Sequence, residues 1–420
     1  MLRLYSVLYG IALGFLLPVE YLKRPKKLRE RWLRERFGEP PGKDSPPPCL
    51  WVHAVSVGEV LAAVPFLKAL RERRPGLRLV VSTVTDTGQK VAAERLSGIA
   101  EIIYMPFDIP SVLRSAVARL RPMMAVIMET EIWPNLFRTL RTAGVPVMVL
   151  NGRISESSYK GYRKIRFFIK EVLADVDTFC MQDEEYARRI VDLGADKKKV
   201  IITGNFKFDI KVELKGLEWA DSLSRPVVVA GSTHKGEEEL VAAAFAGLRE
   251  EFPGLNLIIA PRHPERVPEV EAVLRARGLP CARRSAMPET ALRGSVVILD
   301  TVGELASVYS MADVAVVGGS FVEHGGQNPL EPAYWGRPAV CGPHMWNFPF
   351  VEEFYGAGAA VATDRDGLYG TLRDLLSSPE KRGEMGNRAR EFLERNRGAV
   401  QRAVRVVEER LEGLGDRARI

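Results

Sequence analysis

Three groups of residues are candidates for ligand binding or proton transfer. The first is Val316–His344, VVGGSFVEHGGQNPLEPAYWGRPAVCGPH, where an apolar run ends in Gly318-Gly319-Ser320 and a glycine-rich loop leads to Asn328-Pro329-Leu330-Glu331. Asn328 suits a helix N-cap, Pro329 the first helical position, and Glu331 the third residue of a capping box, with Gly336 ending the helix. Such a turn aims free backbone N–H groups and a positive dipole end at a phosphate, and leaves Glu331 to accept hydrogen bonds from a ribose. The same residues also make an ordinary capped strand-to-helix turn. The second group is acidic. Glu59 follows the apolar run 50–55 and stands either as a reactive carboxylate or as a first-turn residue favoured by the helix dipole. Glu129 and Glu131 flank Thr130 at the end of MMAVIME, where unpaired carboxylates are costly as mere packing. The third is basic: Lys207 in GNFKFD and Arg262 in APRH, whose guanidinium fork matches phosphate oxygens, although loop cations are commonly just solvated.

Metal chemistry finds less support. Five histidines, His53, His234, His263, His324 and His344, fall in or near these loops, without the close pair spacing of a zinc motif. The Asp175–Asp177 and Asp364–Asp366 patterns are expected to be surface acids. Cys49, Cys180, Cys281 and Cys341 lie far apart, as small buried side chains of a reducing compartment do. Neither a metal nor a cofactor is expected.

The elements that must position these groups alternate. Apolar runs at 50–55, 77–84, 101–106, 123–129 and 145–151 are separated by helical stretches at 59–73, 88–96, 111–120 and 134–142. Continuous apolar runs read as strands covered on both faces, and alternation with helices gives a parallel, doubly wound sheet. A second series starts near Pro226, with runs at VVVAGST, LNLIIAPRH, VVILD, DVAVVGGS and AVCG. The fold expected is α/β, two Rossmann-like domains facing a cleft, 49–205 and 206–420, after a segment 1–21 and a basic helix and linker 22–48. Neither half carries G-x-G-x-x-G after its first strand, which disfavours a dehydrogenase, and no Walker A motif occurs.

The chain has 420 residues, 60 basic against 53 acidic side chains and a net charge of +7. That excess suits nucleotide, anionic lipid or nucleic acid alike. Leu4–Pro18 is apolar and uncharged, followed by LKRPKKLRERWLRER with eight Lys/Arg against two Glu. Charges after the apolar run, with no small-residue cleavage site, argue against a cleaved signal. The reading is a membrane anchor, single-pass or monotopic, with the rest of the chain cytoplasmic; the alternative is a buried helix with a solvated basic face. Gly152–Lys170 interleaves six Lys/Arg with four aromatics. That composition fits a headgroup-level surface, single-stranded nucleic acid or an ordinary amphipathic helix.

Strand–GGS–loop–GGQNPLEP–helix, closing in CGPH, resembles the nucleotide-binding half of the two-domain GT-B glycosyltransferases. Within them it is similar to the 3-deoxy-D-manno-octulosonic acid (Kdo) transferases of lipopolysaccharide synthesis. HAVSVGEV, ETEIWPNL, NGRIS, GNFKFD, AGSTHKGEE, APRHPER and DTVGEL extend the resemblance over nearly the whole chain, anchor included. Val302 departs from it, standing where a Met or similar residue is expected. The resemblance implies metal-free, inverting transfer of Kdo from CMP-Kdo to a phosphorylated lipid A precursor at the cytoplasmic face of the cell inner membrane, with no nucleic-acid partner. It implies Glu59 as general base, kept ionised by its helix terminus, and Glu129 as a stabiliser of the transition state through Lys207 or the acceptor. Lys207 would face the leaving phosphate. Pro261, Arg262, Val302, Gly303, Glu304, Asn328, Pro329, Leu330 and Glu331 match the CMP-binding segments, and 152–170 is the expected acceptor surface. A UDP-sugar-dependent GT-B transferase acting on a lipid fits the fold equally. A membrane-bound binding module that has lost catalysis is the non-enzymatic reading, against which Glu59 and Glu129 stand.

Overall fold

A computed structural model describes residues 1–41, 46–286 and 294–417. Each apolar run becomes a strand of one of two wholly parallel sheets, as runs without polar alternation require. The first sheet holds β1 (Cys49–His53), β2 (Arg78–Thr83), β3 (Glu101–Tyr104), β4 (Pro122–Met128), β5 (Val147–Gly152), β6 (Thr178–Met181) and β7 (Val200–Ile202), in the order β3-β2-β1-β4-β5-β6-β7. The second holds β8 (Val227–Thr233), β9 (Asn256–Pro261), β10 (Cys281–Arg283), β11 (Val296–Ile298), β12 (Val314–Val317), β13 (Ala339–Cys341) and β14 (Ala360–Ala362), in the order β10-β11-β9-β8-β12-β13-β14. β6, β7, β10 and β14 escape the sequence reading. Of these, β7, β10 and β14 are short edge strands, only partly buried, without the continuous buried run that marks the others.

Successive residues of β1 enter opposite cores. Trp51 joins Ile127 and Val149 on one face, while Leu50 and Val52 join Val126 and Met128 on the other. Register is parallel throughout the centre, Trp51 pairing with Val80 on one side and Ala125 on the other.

The chain divides into two compact units, Met1–Asp209 with Arg397–Ile420, and Ile210–Asn396. The sequence boundary at 205/206 lies four residues from this division, but the C-terminal end differs from the expected 206–420 domain. The Ala399–Arg417 helix returns to the first unit, burying Val400, Val404 and Val407 against the β1–β4 core. Their i, i+4, i+7 spacing makes one apolar stripe. Its start is held by Asp209, which accepts from the Gly398 and Val400 N–H groups, both at 2.6 Å.

The basic helix, Lys26–Arg36, also belongs to the first unit: Trp32, Glu35 and Arg36 are buried, and Glu35 accepts from the Tyr104 N–H at 2.6 Å. Of the expected linker after it, residues 42–45 lie outside the described residues.

The N-terminal helix, Leu2–Lys23, is long and apolar enough to cross a bilayer by length and composition, and none of it is buried. It is not a detached span. Tyr5 Oη donates to Asp108 Oδ2 at 2.8 Å and Ser6 Oγ to Asn135 Oδ1 at 2.9 Å, while Tyr9, Leu13, Leu17 and Tyr21 pack against Trp32 and Phe107. Leu4, Val7, Leu8, Ile11, Phe15, Leu16, Val19 and Leu22 remain exposed on the outer side.

The last helix therefore stabilises the first unit. Val404→Ala removes two fully buried methyl groups and is expected to lower that unit's unfolding free energy by roughly 2 kcal/mol. Calorimetry resolving the two units should show the second unit's transition unmoved.

Candidate active site

Parallel winding sends every strand-to-helix loop to one edge of its sheet, and in the first unit the winding reverses between β1 and β4. Glu59 follows β1 and Glu129 follows β4, so the two carboxylates flank that switch point. Glu59 lies in the first turn of the Val57–Arg73 helix and is 7% exposed. It accepts from the Val55 N–H at 2.8 Å and from Ser56 Oγ at 3.1 Å. The sequence argument expects the helix terminus to lower its pKa. Instead burial, reinforced by the charges of Glu131 and Glu129, pushes it up to about 7, outweighing those two hydrogen bonds. A carboxyl poised there is a competent base near neutral pH.

Glu129 has φ of +56°, the left-handed region that a non-glycine residue adopts at a cost. Its Oε2 accepts from Arg153 Nε at 2.5 Å, and the Arg153 N–H donates to Thr130 Oγ1 at 2.9 Å. Burial also raises the Glu131 carboxyl, with Glu129 adding to it. Lys207, expected at the domain crossover, stands in the first unit with these acids. Burial lowers its ammonium pKa, the Glu129 charge opposes that shift, and Arg153 adds to it.

The Lys207 segment is fixed from several sides. Asn205 Oδ1 accepts from the Lys207 N–H at 2.9 Å and Asn151 Oδ1 from the Phe206 N–H at 3.1 Å. Phe206 stacks on Phe66 of the Glu59 helix, ring centroids 6.3 Å apart. Arg402 Nε donates to Thr203 O at 2.8 Å. Arg153 and Asn151 were not singled out from the sequence as site residues. Their signal was position alone, at the end of β5 in NGRIS.

The expected nucleotide residues gather at the corresponding edge of the second unit. Arg262 follows β9, is exposed, and its N–H donates to Thr233 O at 2.9 Å. Pro261, Pro329 and Leu330 are buried, Val302 is 80% exposed, and Gly303 has φ of +85°, which suits glycine. Glu304 is held by Arg284 Nε at 3.0 Å. Asn328 Oδ1 accepts from the Leu330 N–H at 3.1 Å. Burial raises the Glu331 carboxyl to about 7, although an Asn328 hydrogen bond and the Arg262 charge pull it down.

Two expectations change here. The helix after Asn328 spans only Leu330–Tyr334, with Pro329 as its cap, so its dipole is slight and no capping box forms. The glycine loop is not a free set of donors either. Buried Glu237 accepts from Gly319 N–H at 2.7 Å, Phe321 N–H at 2.9 Å and His234 N–H at 2.8 Å, so a carboxylate already occupies the cradle. Asp175 differs too: expected at the surface, it is 4% exposed and paired with Arg138 at 2.7 Å and Arg141 at 2.8 Å. Asp364 and Asp366 are exposed as expected.

His234 stacks on His324 with ring centroids 4.1 Å apart and meets His263 edge-on at 5.9 Å. Among the described residues, however, no group of three or more His, Cys, Asp or Glu side chains is placed to hold a metal ion.

Residues 31–210 match the family described as 3-deoxy-D-manno-octulosonic-acid transferase (kdotransferase). The 3-deoxy-D-manno-octulosonic acid transferase of Haemophilus influenzae is 35% identical over 402 residues, 93% of this chain and 93% of its own. That of Bordetella pertussis is 36% identical over 426 residues, 96% of this chain and 98% of its own. The chain belongs to this family. It is a glycosyltransferase, and its two units have the GT-B fold. A glycosyltransferase from Rickettsia africae shares that fold with a TM-score of 0.57 at 11% identity, covering 88% of this chain and 99% of its own.

In this transferase the matched segment includes Glu59, Glu129, Arg153 and Lys207. Because Glu59 has its pKa raised in the folded state, its contribution favours folding at low pH and is lost as pH rises through about 7. Glu59→Gln removes the buried charge. Its melting temperature should exceed that of the unsubstituted protein at pH 8, and the gap should close toward pH 5. A gap that widens toward pH 5 would reverse the assignment.

Proposed function

We propose that this transferase moves Kdo, with inversion at the anomeric carbon, from CMP-Kdo to a phosphorylated lipid A precursor at the cytoplasmic face of the inner membrane. The observation carrying the mechanism is Glu59: a buried carboxyl with pKa about 7, at the switch point of its sheet and within the electrostatic reach of Glu129 and Glu131. In this reading Glu59 takes the proton from the acceptor hydroxyl as that oxygen attacks the sugar, and the bond to the CMP phosphate breaks. Glu129, gripped by Arg153, holds the ammonium of Lys207, which answers the charge developing on the departing phosphate.

In the second unit, Arg262 supplies countercharge to CMP, with Gly303 offering backbone approach and Glu331 a ribose acceptor. Pro261, Val302, Glu304, Asn328, Pro329 and Leu330 shape that surface. The sugar comes from the relatives' names and its CMP carrier from the resemblance of these segments, and no metal is assigned a part.

Membrane attachment is read as monotopic. A helix bonded to Asp108 and Asn135 near its start and packed on Trp32 and Phe107 beyond lies on the first unit and presents Leu8, Ile11, Phe15 and Val19 to lipid. Exposed Ile165 and Phe167, among the basic residues of 152–170, extend this surface, since Phe168 meets Tyr5 at 6.1 Å.

Turnover and nucleotide binding separate the roles. Glu59→Gln should cut product formation by about 10²–10⁴ while CMP affinity, by calorimetry, barely moves. Arg262→Ala should weaken CMP binding first. Near-normal turnover in Glu59→Gln rules out the base.

For attachment, deletion of residues 1–20 is a poor probe, because it would strip Asp108 of Tyr5 and uncover Trp32 and Phe107. Leu8→Asp with Phe15→Asp should instead shift the protein from sedimenting membranes to the soluble fraction. Continued sedimentation in high salt places the anchor elsewhere.

A further inference from the structure

Arg36 ends the basic helix and is 7% exposed. Its Nη1 donates to Met105 O at 2.6 Å, and its guanidinium lies over the Phe107 ring at 4.1 Å. Its Nε is buried without a partner, as is the Trp32 indole nitrogen. Among the described residues, no carboxylate forms an ion pair with it. Burial, with Arg24 adding like charge, lowers its pKa to about 10. A buried guanidinium in that position lacks a paired anion: Glu20, which also lines the groove, acts on it only through its charge. Arg24, close by, does not: Glu20 and Asp86 pair with it, each at 3.2 Å.

Arg36 and Trp32 line a groove of about 270 Å³ whose apolar walls are Leu13 and Leu17 of the N-terminal helix facing Val84 and Phe107. Backbone hydrogen bonds tie one wall of the groove to the loop that carries Glu59. The Val84 N–H donates to Val55 O at 3.2 Å, and the Val55 N–H donates to Glu59 Oε2 at 2.8 Å. A single residue therefore separates a groove wall from the base.

We propose that this groove seats the acceptor lipid, an acyl chain lying between the N-terminal helix and Phe107 and a phosphate meeting Arg36. The inference rests on the reading above that the acceptor is a phosphorylated, acylated sugar. A membrane phospholipid has the same chemistry, but the link through Val55 to Glu59 favours the molecule whose hydroxyl must reach that carboxylate. Binding there completes the charge of Arg36, and the N-terminal helix becomes part of the substrate site as well as an anchor.

The test uses the full chain in detergent with CMP-Kdo and three acceptors: a phosphorylated, acylated glucosamine disaccharide, its deacylated form and its dephosphorylated form. Ala12→Trp fills the groove from an exposed position. It should raise KM for the acylated acceptor about tenfold and leave KM for the deacylated one unchanged. Arg36→Met should raise KM for the phosphorylated acceptor by about 10–100-fold, the loss of a charge-assisted contact, and match the unsubstituted enzyme on the dephosphorylated one.

Unchanged KM for the acylated acceptor in Ala12→Trp overturns the proposal. So does loss of co-purifying phospholipid, by phosphorus analysis, with KM unmoved, because the groove then holds membrane lipid. Should Arg36→Met fail to fold, Ala12→Trp decides alone. If the unsubstituted enzyme transfers to none of the three acceptors, the reading of the acceptor falls first and takes this inference with it.

Discussion

Everything of chemical interest in this chain depends on parallel strand pairing. A parallel ladder forces each connection to cross back over a face of the sheet, so every strand leaves its C-terminal residue at the same edge. Glu59 and Glu129 lie 70 positions apart in sequence, yet they flank adjacent strands β1 and β4. The same constraint collects Arg262, Gly303 and Glu331 at the edge of the second sheet. Function in this fold is a property of loops that the sheet has no freedom to scatter.

Within the first unit, burial and charge act against each other. Three carboxyl groups, Glu59, Glu129 and Glu131, share a partly dry edge with two cations, Lys207 and Arg153. Burial disfavours ionisation of Glu59, Glu131 and Lys207. Glu129 pairs with Arg153 and its charge opposes the lowering of Lys207, while Glu59, bonded only to neutral donors, is pushed up by burial and by its acidic neighbours. The left-handed backbone at Glu129 and Asn151 is the local conformational cost of aiming those side chains, at about 1–3 kcal/mol each.

The chain's two ends meet the first unit as well. The C-terminal helix caps itself on Asp209 and clamps the segment carrying Lys207. The N-terminal helix attaches through Tyr5 and Ser6 and walls a groove whose far side includes Val84 and Phe107. That helix packs one face on the first unit and leaves Leu8, Ile11, Phe15 and Val19 exposed on the other, the pattern of an amphipathic anchor.

The sequence by itself determined the fold class, because uninterrupted apolar runs alternating with helices admit little but doubly wound parallel sheets. It also singled out the Glu129 and Glu131 carboxylates, since unpaired charge at the end of a buried strand is costly, whereas Glu59, Lys207 and Arg262 drew their expected roles from the family resemblance. What it left open were quantities set by neighbours distant in the chain. The direction of the Glu59 pKa shift depends on how much surface surrounds it, and a helix-dipole argument made from local sequence had the wrong sign. The occupation of the glycine loop by Glu237 depends on β8 and β12 lying side by side. Arg153 became a partner of Glu129 only when β5 paired with β4. The return of the last helix to the first unit came from an apolar stripe that would suit either core, and tertiary packing chose between them.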